Sequence, residues 1–481
     1  MRKLKKFTII FTIFLQISLL STSFTSFAAF SPSFELHSEG VYMVNLDTGI
    51  EIVAKNIDKK LVPASTAKIM TALVTLERVK NLENTVECPY VCFDEFWEGN
   101  PNFYGASEAA IEPLQENLTY KDCLYALMLA SACEGANILA YNVGQGSIPN
   151  FVTMMNQTAE KIGCKNTHFT NPHGLYDENQ YTTAYDLYLI TKYAMDNYPA
   201  FMKICSTYEY EMPANENNPD GYTKTQTNQL MKTTSDFYCE GVKGVKTGSI
   251  DYYYHKKNGE WDTDNGEKGS RALVTTAERN GYNYLLVTLG APYFDENGEE
   301  TDWNFADHYN LYEWAFSEFE YTQVIGKNEQ IMQVEVLKGQ DADAVGVVTT
   351  KDYFTLMPKS LDKSSIQQIK PTLEPMTAPI SKGTVVGSLE LRLNGELLTE
   401  IPLAVETDIE LDFGAELKEK LMKIVTSPWF IAGVSVFVAL LIALIVMINI
   451  EKKKRKRARE LNRRRKIQMA PRYNDKNNRR R

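Results

Sequence analysis

The chain has 481 residues, of which 44% are hydrophobic and 23% are charged. This is the composition of a globular protein, and it excludes a disordered chain, a collagen-like chain and a simple coiled coil. The length allows about two to four domains and excludes a single small one.

The net charge of −10 is distributed unevenly. Residues 1–28 carry +4 and residues 451–481 carry +13, which leaves −27 on the residues between them. A body this acidic lacks the clustered basic residues that phosphate binding requires. Nucleic acid is therefore not an expected partner.

The first 28 residues have the pattern of a secretory signal peptide. A basic head, Met1–Lys6, precedes an apolar centre, Phe7–Leu20, and small residues follow at Ser26-Phe27-Ala28. We predict removal after Ala28 and export of the body; the alternative is a retained N-terminal membrane anchor.

The body begins with strands, continues with helices and returns to strands. Val41–Gly49 and Glu51–Lys55 indicate a hairpin, and Pro63 opens a helical pattern. Further helical patterns cover 118–141, with a break at Ala130–Gly135, then Phe151–Ile162 and Ala184–Met195. The later strands are predicted at Gly241–Ser249, Ala272–Glu278 and Tyr284–Gly290. Strands from both ends of residues 29–322 therefore form one sheet of a large α/β domain.

From residue 325 to 410 the chain has short alternating apolar segments. Leu389–Leu393 alternates throughout, and Asn394-Gly395 after it is a strong hairpin signal. This pattern predicts a small all-β domain.

The chain then changes to a membrane-spanning pattern. Residues 411–428 are predicted as a helical stalk, and Trp429–Ile450 has 22 residues without a charge. As a helix this segment measures about 33 Å, enough to cross the hydrocarbon core of a bilayer. The basic run Lys452–Arg457 directly after it predicts a cytoplasmic tail, 451–481. That tail could alternatively bind nucleic acid or anionic lipid.

Seven cysteines are present, at positions 88, 92, 123, 133, 164, 205 and 239. An exported chain favours disulfides, but the odd number leaves at least one thiol unpaired, and the pairing stays open. Cys88 and Cys92 lack a second Cys/His pair at zinc-like spacing, so no metal site is predicted.

Ser65-Thr-Ala-Lys68 stands at the start of the first strong helix. Positions i and i+3 share a helix face, so the Lys68 amine can lie beside the Ser65 hydroxyl. The helix dipole favours negative charge developing near Ser65, and burial lowers a lysine pKa so that it can act as a base. These residues form a candidate nucleophile and base.

A second motif, Lys246-Thr247-Gly248, lies on a predicted strand and is followed by Ser249. The lysine supplies positive potential, the threonine can donate to a carboxylate, and the glycine lets a substrate backbone approach. An extended peptide could add to this strand edge as a further strand.

Ser65-Thr-Ala-Lys68, a patch beginning at Ser131 and Lys246-Thr-Gly248 resemble, in the same order, the three motifs of penicillin-binding proteins and serine β-lactamases. The surrounding residues resemble low-molecular-mass D-alanyl-D-alanine carboxypeptidases, peptidase family S11, over most of residues 38–410. The stretches concerned are Pro63–Leu73, Asn171–Leu175, Gly241–Gly248, Arg271–Pro292 and, in the β-rich part, Pro379–Gly387.

The resemblance implies a β-lactamase/transpeptidase-like α/β domain, an antiparallel sheet flanked by helices with a helical subdomain, followed by the all-β domain. It implies a serine-type carboxypeptidase that removes the terminal D-Ala from peptidoglycan stem pentapeptides and binds β-lactams covalently. No metal or organic cofactor is implied. The expected location is the cell membrane, with a single span, an extracytoplasmic catalytic domain and, by family habit, a Gram-positive surface.

The resemblance also implies roles for individual residues. Ser65 is the acylated nucleophile, Lys68 takes its proton, and Ser131 shuttles a proton with Lys246. Backbone N–H groups of Ser65 and Ser249 form the oxyanion hole. The implied substrate-binding residues are Lys246, Thr247 (for the terminal carboxylate), Gly248, Ser249 and Cys133.

Cys133 departs from the family pattern, which has asparagine in Ser-x-Asn. A thiol does not supply the paired donor and acceptor of an amide, so activity could be weakened. Alternatively, Cys133 is a small buried residue and Glu134 or Asn137 compensates for it. A catalytically weak wall-binding or scaffold protein, or a β-lactamase-like hydrolase, is the alternative to a carboxypeptidase.

Two further features leave alternatives open. His173 is either a general base or, as is commoner for a histidine in a turn, a structural residue. The segment 251–269 is longer than the family leads us to expect; it is either a solvated hairpin extension or a loop that gates the site or contacts glycan.

Overall fold

A computed structural model describes residues 30–97, 99–393 and 395–468. The predicted signal peptide, residues 1–28, and the end of the basic tail lie outside the described residues. The chain divides into two compact units. The first extends to Val324 and includes 354–366 and 393–396, and the rest belongs to the second.

The described helices and strands are numbered separately in chain order. The helices are α1 (Lys68–Arg78), α2 (Asp94–Trp97), α3 (Tyr120–Leu129), α4 (Cys133–Val143), α5 (Ile148–Ile162), α6 (Ala184–Asn197), α7 (Pro199–Cys205), α8 (Trp303–Glu318), α9 (Phe413–Val425) and α10 (Pro428–Gln468). The strands of the first unit up to residue 292 are β1 (Gly40–Asn45), β2 (Glu51–Lys55), β3 (Glu209–Met212), β4 (Tyr222–Thr225), β5 (Val242–Ser249), β6 (Tyr252–Tyr253), β7 (Lys256–Lys257), β8 (Glu260–Trp261), β9 (Glu267–Lys268), β10 (Ser270–Arg279) and β11 (Tyr282–Pro292). The later strands are β12 (Phe319–Ile325), β13 (Gln330–Leu337), β14 (Ala344–Thr349), β15 (Tyr353–Pro358), β16 (Ile366–Ile369), β17 (Met376–Thr377), β18 (Val385–Leu393) and β19 (Glu396–Val405).

The main sheet of the first unit has five antiparallel strands in the order β2-β1-β11-β10-β5. Strands from the beginning and the end of the unit therefore lie side by side, as the sequence predicts. Strand β5 is at the edge of this sheet, and its Lys246 and Thr247 lie opposite Val274 and Leu273 of β10. The side of β5 that faces away from β10 can pair with an added strand.

Both faces of this sheet are buried, because its strands alternate between two apolar cores. Tyr42 and Val44 of β1 belong to the core between the sheet and helices α1 and α3 to α7. Val41 and Met43 belong to the core between the sheet and α8. Helix α1 lies deep in the first core, with every residue from Lys68 to Leu76 buried. The serine at its start is thus held on a rigid element.

Sequence analysis did not predict α8, the helix that covers the second face. Its buried residues include Asn304, Asp307 and His308, which interrupt the apolar periodicity. The Asp307 carboxylate accepts bonds from the backbone N–H and the hydroxyl of Ser38, at 2.7 and 2.6 Å. These bonds satisfy a buried charge that the pattern would assign to a surface.

In the second unit, six strands form a sheet in the order β16-β18-β19-β14-β13-β17. Helix α9 follows, and α10 continues beyond the predicted end of the membrane span at Ile450 to Gln468. The most apolar window of α10 has a mean hydropathy of 3.1, and none of it is buried. One helix of the described chain is therefore long and apolar enough to cross a membrane.

Candidate active site

The candidate nucleophile lies in a 3-10 turn, Ala64–Ala67, that leads directly into α1. Lys68 Nζ donates a hydrogen bond to Ser65 Oγ at 2.9 Å. Ala64 has φ +47°, a conformation that costs energy in a residue with a Cβ atom. Such strain is retained where the surrounding structure fixes the backbone.

Two glycines let other segments pack closely against this turn. A Cβ atom on Gly248 of β5 would lie 3.2 Å from the Ser65 nitrogen and 3.1 Å from the Ala64 Cβ atom. A Cβ atom on Gly174 would lie 2.0 Å from the Ala64 carbonyl oxygen. Glycine at these positions therefore brings the edge strand and the Asn171–Leu175 turn into contact with the nucleophile.

Lys68 has the environment of a base. Its side chain is fully buried, and Nζ also donates to the backbone carbonyl of His173. Burial lowers the pKa of Lys68 below its ordinary value of 10.5, because the charged ammonium loses its hydration. A larger fraction of neutral amine, able to accept the serine proton, is therefore present near neutral pH.

The motif Ser131-Ala-Cys133 joins the end of α3 to the start of α4. Ser131 is buried with φ +62°, and the Cys133 backbone N–H donates to the Ser107 carbonyl at 2.8 Å. Cys133 Sγ lies 3.5 Å from Lys68 Nζ. Burial raises the pKa of the Cys133 thiol, although Lys68 and Lys246 oppose the shift. A neutral thiol thus faces the candidate base.

Glu134 and Asn137 are occupied elsewhere. Glu134 accepts the backbone N–H of Ala109 at 2.6 Å, and burial raises the pKa of its carboxyl to about 7. The Asn137 amide donates to the Cys92 carbonyl and to Glu95. Cys133 itself therefore faces Lys68, whereas the bonded atoms of Glu134 and Asn137 reach other residues, and one buried oxygen of each side chain has no hydrogen-bond partner among the described residues.

Replacement of Cys133 by asparagine is expected to keep or raise turnover. The amide would add a donor and an acceptor next to Lys68, where one hydrogen bond contributes about 1 kcal/mol, or roughly fivefold in rate. The measurement is kcat/KM for D-Ala release. Cys133→Ala, which removes the thiol without adding an amide, is the control. A large loss in the asparagine variant alone would show that the cysteine has a role of its own.

Strand β5 contributes the second lysine. Lys246 is fully buried, and burial, followed by the charge of Lys68, lowers its pKa well below 10.5. Gly248, two residues along β5, packs against the Ser65 nitrogen, so this strand brings Lys246 close to the Ser65 turn although the two are far apart in sequence. Lys246 Nζ donates to the Thr247 carbonyl at 2.9 Å. The Thr247 hydroxyl shares a 2.6 Å hydrogen bond with Thr227, a residue that sequence analysis missed.

The ring of His173 faces away from the nucleophile. Its Nδ1 accepts the Leu175 backbone N–H at 3.1 Å, so Nε2 carries the hydrogen and donates to Glu95 at 3.1 Å. Burial lowers the pKa of this histidine. Of the His173 atoms, the backbone carbonyl is the one bonded to Lys68, and both ring nitrogens have other partners, which favours the structural interpretation over a general base.

The fold brings Ser65, Lys68, Cys133, Lys246 and Gly248 to one place. Among the described residues, the Lys246 amine is bonded to Thr247 rather than to Ser131, so the predicted proton path between them is not a direct bond in this state. The backbone carbonyl of His173 and the Thr227 hydroxyl are additions that no motif indicated. A serine beside a buried lysine, facing a free strand edge, defines a serine acyl-transfer enzyme.

Comparison with known families agrees with this class. The family described as D-alanyl-D-alanine carboxypeptidase, peptidase S11, matches residues 25–292. Residues 319–411 match the C-terminal domain of penicillin-binding protein 5. The chain belongs to the peptidase S11 family of D-alanyl-D-alanine carboxypeptidases. The predicted family, fold class and enzyme class are therefore confirmed.

Individual relatives cover both units. The carboxypeptidase DacF of Bacillus subtilis is 28% identical over 378 residues, covering 78% of this chain and 86% of that protein. DacA of Escherichia coli is 24% identical, covering 82% and 89%. The crystal structure of penicillin-binding protein 5 from Haemophilus influenzae, 24% identical, has a TM-score of 0.53 and covers 79% and 99% of the two chains.

All seven cysteines are free in the structure. Six are buried, and Cys164 is half-buried. Burial raises the pKa of the Cys88 thiol to about 11 and that of the Cys92 thiol to about 12. These thiols are packed as small apolar groups, and disulfide bonds do not contribute to the described fold.

Proposed function

We propose that Ser65 is the residue acylated by the penultimate D-Ala of a peptidoglycan stem pentapeptide. The neutral Lys68 amine takes the hydroxyl proton while Oγ attacks the carbonyl carbon. The C–N bond then breaks, the terminal D-Ala leaves with a proton on its nitrogen, and an ester to Ser65 remains. Water hydrolyses that ester, which releases the shortened peptide and regenerates the hydroxyl.

The remaining predicted residues bind the substrate and transfer a proton. The backbone N–H groups of Ser65 and Ser249 stabilise the oxyanion. Thr247 and the positive potential of Lys246 hold the terminal carboxylate, and Ser131 passes a proton toward the leaving nitrogen. The close approach of Gly248 to the Ser65 nitrogen supports this assignment, because Ser249 follows Gly248 directly and therefore also lies near that nitrogen.

The proposed location is the outer face of a cell membrane. The apolar helix α10 supports a single C-terminal span, and the basic residues after Ile450 favour a cytoplasmic tail. The catalytic unit then faces the wall, which contains the stem peptides, and the family habit favours a Gram-positive cell. The signal-like residues 1–28 are consistent with export.

The observation that carries the proposed function is the 2.9 Å bond from a fully buried Lys68 to Ser65. The expected result with penicillin is a stable adduct on the peptide that contains Ser65, detected by mass spectrometry, and no adduct in Ser65→Ala. Slow release of the adduct distinguishes a carboxypeptidase from a β-lactamase. Wild-type protein that forms no adduct would instead support a scaffold.

A further inference from the structure

The proposed function, on which this inference rests, fixes the direction of the substrate. With the carboxylate at Thr247 and the oxyanion at Ser249, a peptide added antiparallel to β5 extends its retained part toward Tyr253. Loss of the terminal D-Ala leaves four residues before the glycan, and in extended form they span about 13 Å. Beyond Ser249 the chain bends at Asp251 and continues into β6, so the sugar end arrives on the side of the segment that contains Tyr253.

A cleft of about 580 Å³ lies there, which we call the tyrosine cleft; Tyr176, Tyr181 and Tyr253 are among the residues that line it. The rings of Tyr176 and Tyr253 stack with centroids 4.6 Å apart. They pack with Ala64 and Ile250, the neighbours of the nucleophile and of Ser249. The cleft therefore lies next to the catalytic turn, and its volume is that of a small-molecule site.

The charges of the cleft favour a neutral, hydroxyl-rich ligand. Each lysine that lines it already has a partner: Lys59 pairs with Glu39, Lys60 lies 4.1 Å from the Tyr181 ring centroid, and Lys268 donates to a backbone carbonyl. Three further carboxylates line the cleft, namely Asp177, Glu178 and Glu267. An anion is disfavoured here, whereas sugar hydroxyls can donate to carboxylates and sugar faces can pack on tyrosine rings.

One wall of the cleft belongs to the segment that sequence analysis found unusually long. It forms two short antiparallel ladders, β6 with β9 and β7 with β8, and thus has the shape of a hairpin extension. The buried Asn102 holds it at Tyr254: its amide donates to the Tyr254 carbonyl at 2.9 Å and accepts the Tyr254 N–H at 2.8 Å. The wall is thereby fixed before substrate binds.

We propose that the tyrosine cleft binds the amino-sugar glycan to which the stem peptide is attached. Tyr176, which stacks on the buried Tyr253, provides the apolar face for the sugar, the acidic residues accept its hydroxyl groups, and Asn102 is a positioning residue for the hairpin wall. The enzyme then recognises stem peptides on glycan strands in preference to free peptides.

The test compares kcat/KM for D-Ala release from a disaccharide pentapeptide, the sugar-free pentapeptide and a blocked tripeptide ending in D-Ala-D-Ala. We expect the wild-type protein to favour the disaccharide form over the sugar-free pentapeptide by about tenfold, the effect of one good stacking contact. Tyr176→Ala and Asn102→Ala should bring that ratio close to one. Equal rates on the two pentapeptides in the wild-type protein would overturn the proposal.

Asn142→Ala is the matched control, because Asn142 makes the same two-way contact with the backbone of Glu87, at 2.8 and 2.7 Å, outside the cleft. It should keep the wild-type ratio; a ratio lowered as much as in Asn102→Ala would count against the cleft. Failure of the wild-type protein to release D-Ala from the tripeptide would contradict the proposed function itself. Release from the tripeptide without a sugar preference would contradict only the glycan site.

Discussion

Lys68→Met is expected to slow acylation of Ser65 by penicillin, and release of D-Ala, by about 1,000-fold, the usual contribution of a well-positioned general base. The thioether accepts no proton, so the Ser65 hydroxyl would attack without assistance. The Lys68 amine makes the 2.9 Å contact with Ser65 and has a pKa lowered by burial. No other amine in the described structure donates to Ser65.

The same variant should fold at least as well as the wild-type protein. Lys68 is fully buried, and an apolar side chain of similar length removes the cost of burying an amine. Thermal unfolding, measured beside the acylation rate, therefore separates loss of the base from loss of the fold. Retention of more than about a tenth of the acylation rate would contradict the assignment. Lys161→Met, which replaces an exposed lysine of a surface ion pair, is the control.

The pH dependence has a defined sign. Acylation needs the neutral amine, whose fraction rises with pH, and a lowered pKa moves that rise below the ordinary lysine value of 10.5. The wild-type rate should therefore increase with pH and level off before an unperturbed lysine would titrate. In Lys68→Met this rise should disappear.

The fold was predictable where apolar periodicity is regular. Strands β1, β10 and β11 alternate between two buried faces, and α1 carries apolar residues at helical spacing, so their patterns identify them. Helix α8 was not predictable in this way, because its buried side contains Asp307 and His308. Their partners are distant in sequence: His308 shares hydrogen bonds with Thr275 and Thr288, and Asp307 accepts from Ser38.

The contacts of the active site were likewise predictable only where local geometry determines them. The pairing of Ser65 with Lys68 follows from helix geometry alone, since one turn separates them. The approach of Lys246 depends on the order of strands in the sheet, and only the family resemblance predicted it. The contact of Lys68 with the His173 carbonyl comes from an irregular turn without periodicity. No sequence pattern specifies such a backbone contact.

Gly174→Ala is expected to lower kcat/KM by about 100-fold, a loss typical of catalytic groups displaced by about 1 Å. A methyl group there would lie 2.0 Å from the Ala64 carbonyl oxygen, so the Asn171–Leu175 turn or the nucleophile turn must move. Movement of the first also displaces the His173 carbonyl, to which Lys68 donates. The substitution therefore disturbs the nucleophile and its base together, although Gly174 contacts no reacting atom.

Gly298→Ala separates this effect from backbone strain. Gly298 has the same φ, +84°, but no atom lies within 4 Å of the added Cβ. Both alanines incur the left-handed cost of about 1–2 kcal/mol, which thermal unfolding measures. Only Gly174→Ala should lose acylation by penicillin and D-Ala release. Equal catalytic losses in the two variants would mean that strain alone explains them, whereas a loss confined to position 174 would show that contact with Ala64 positions Ser65.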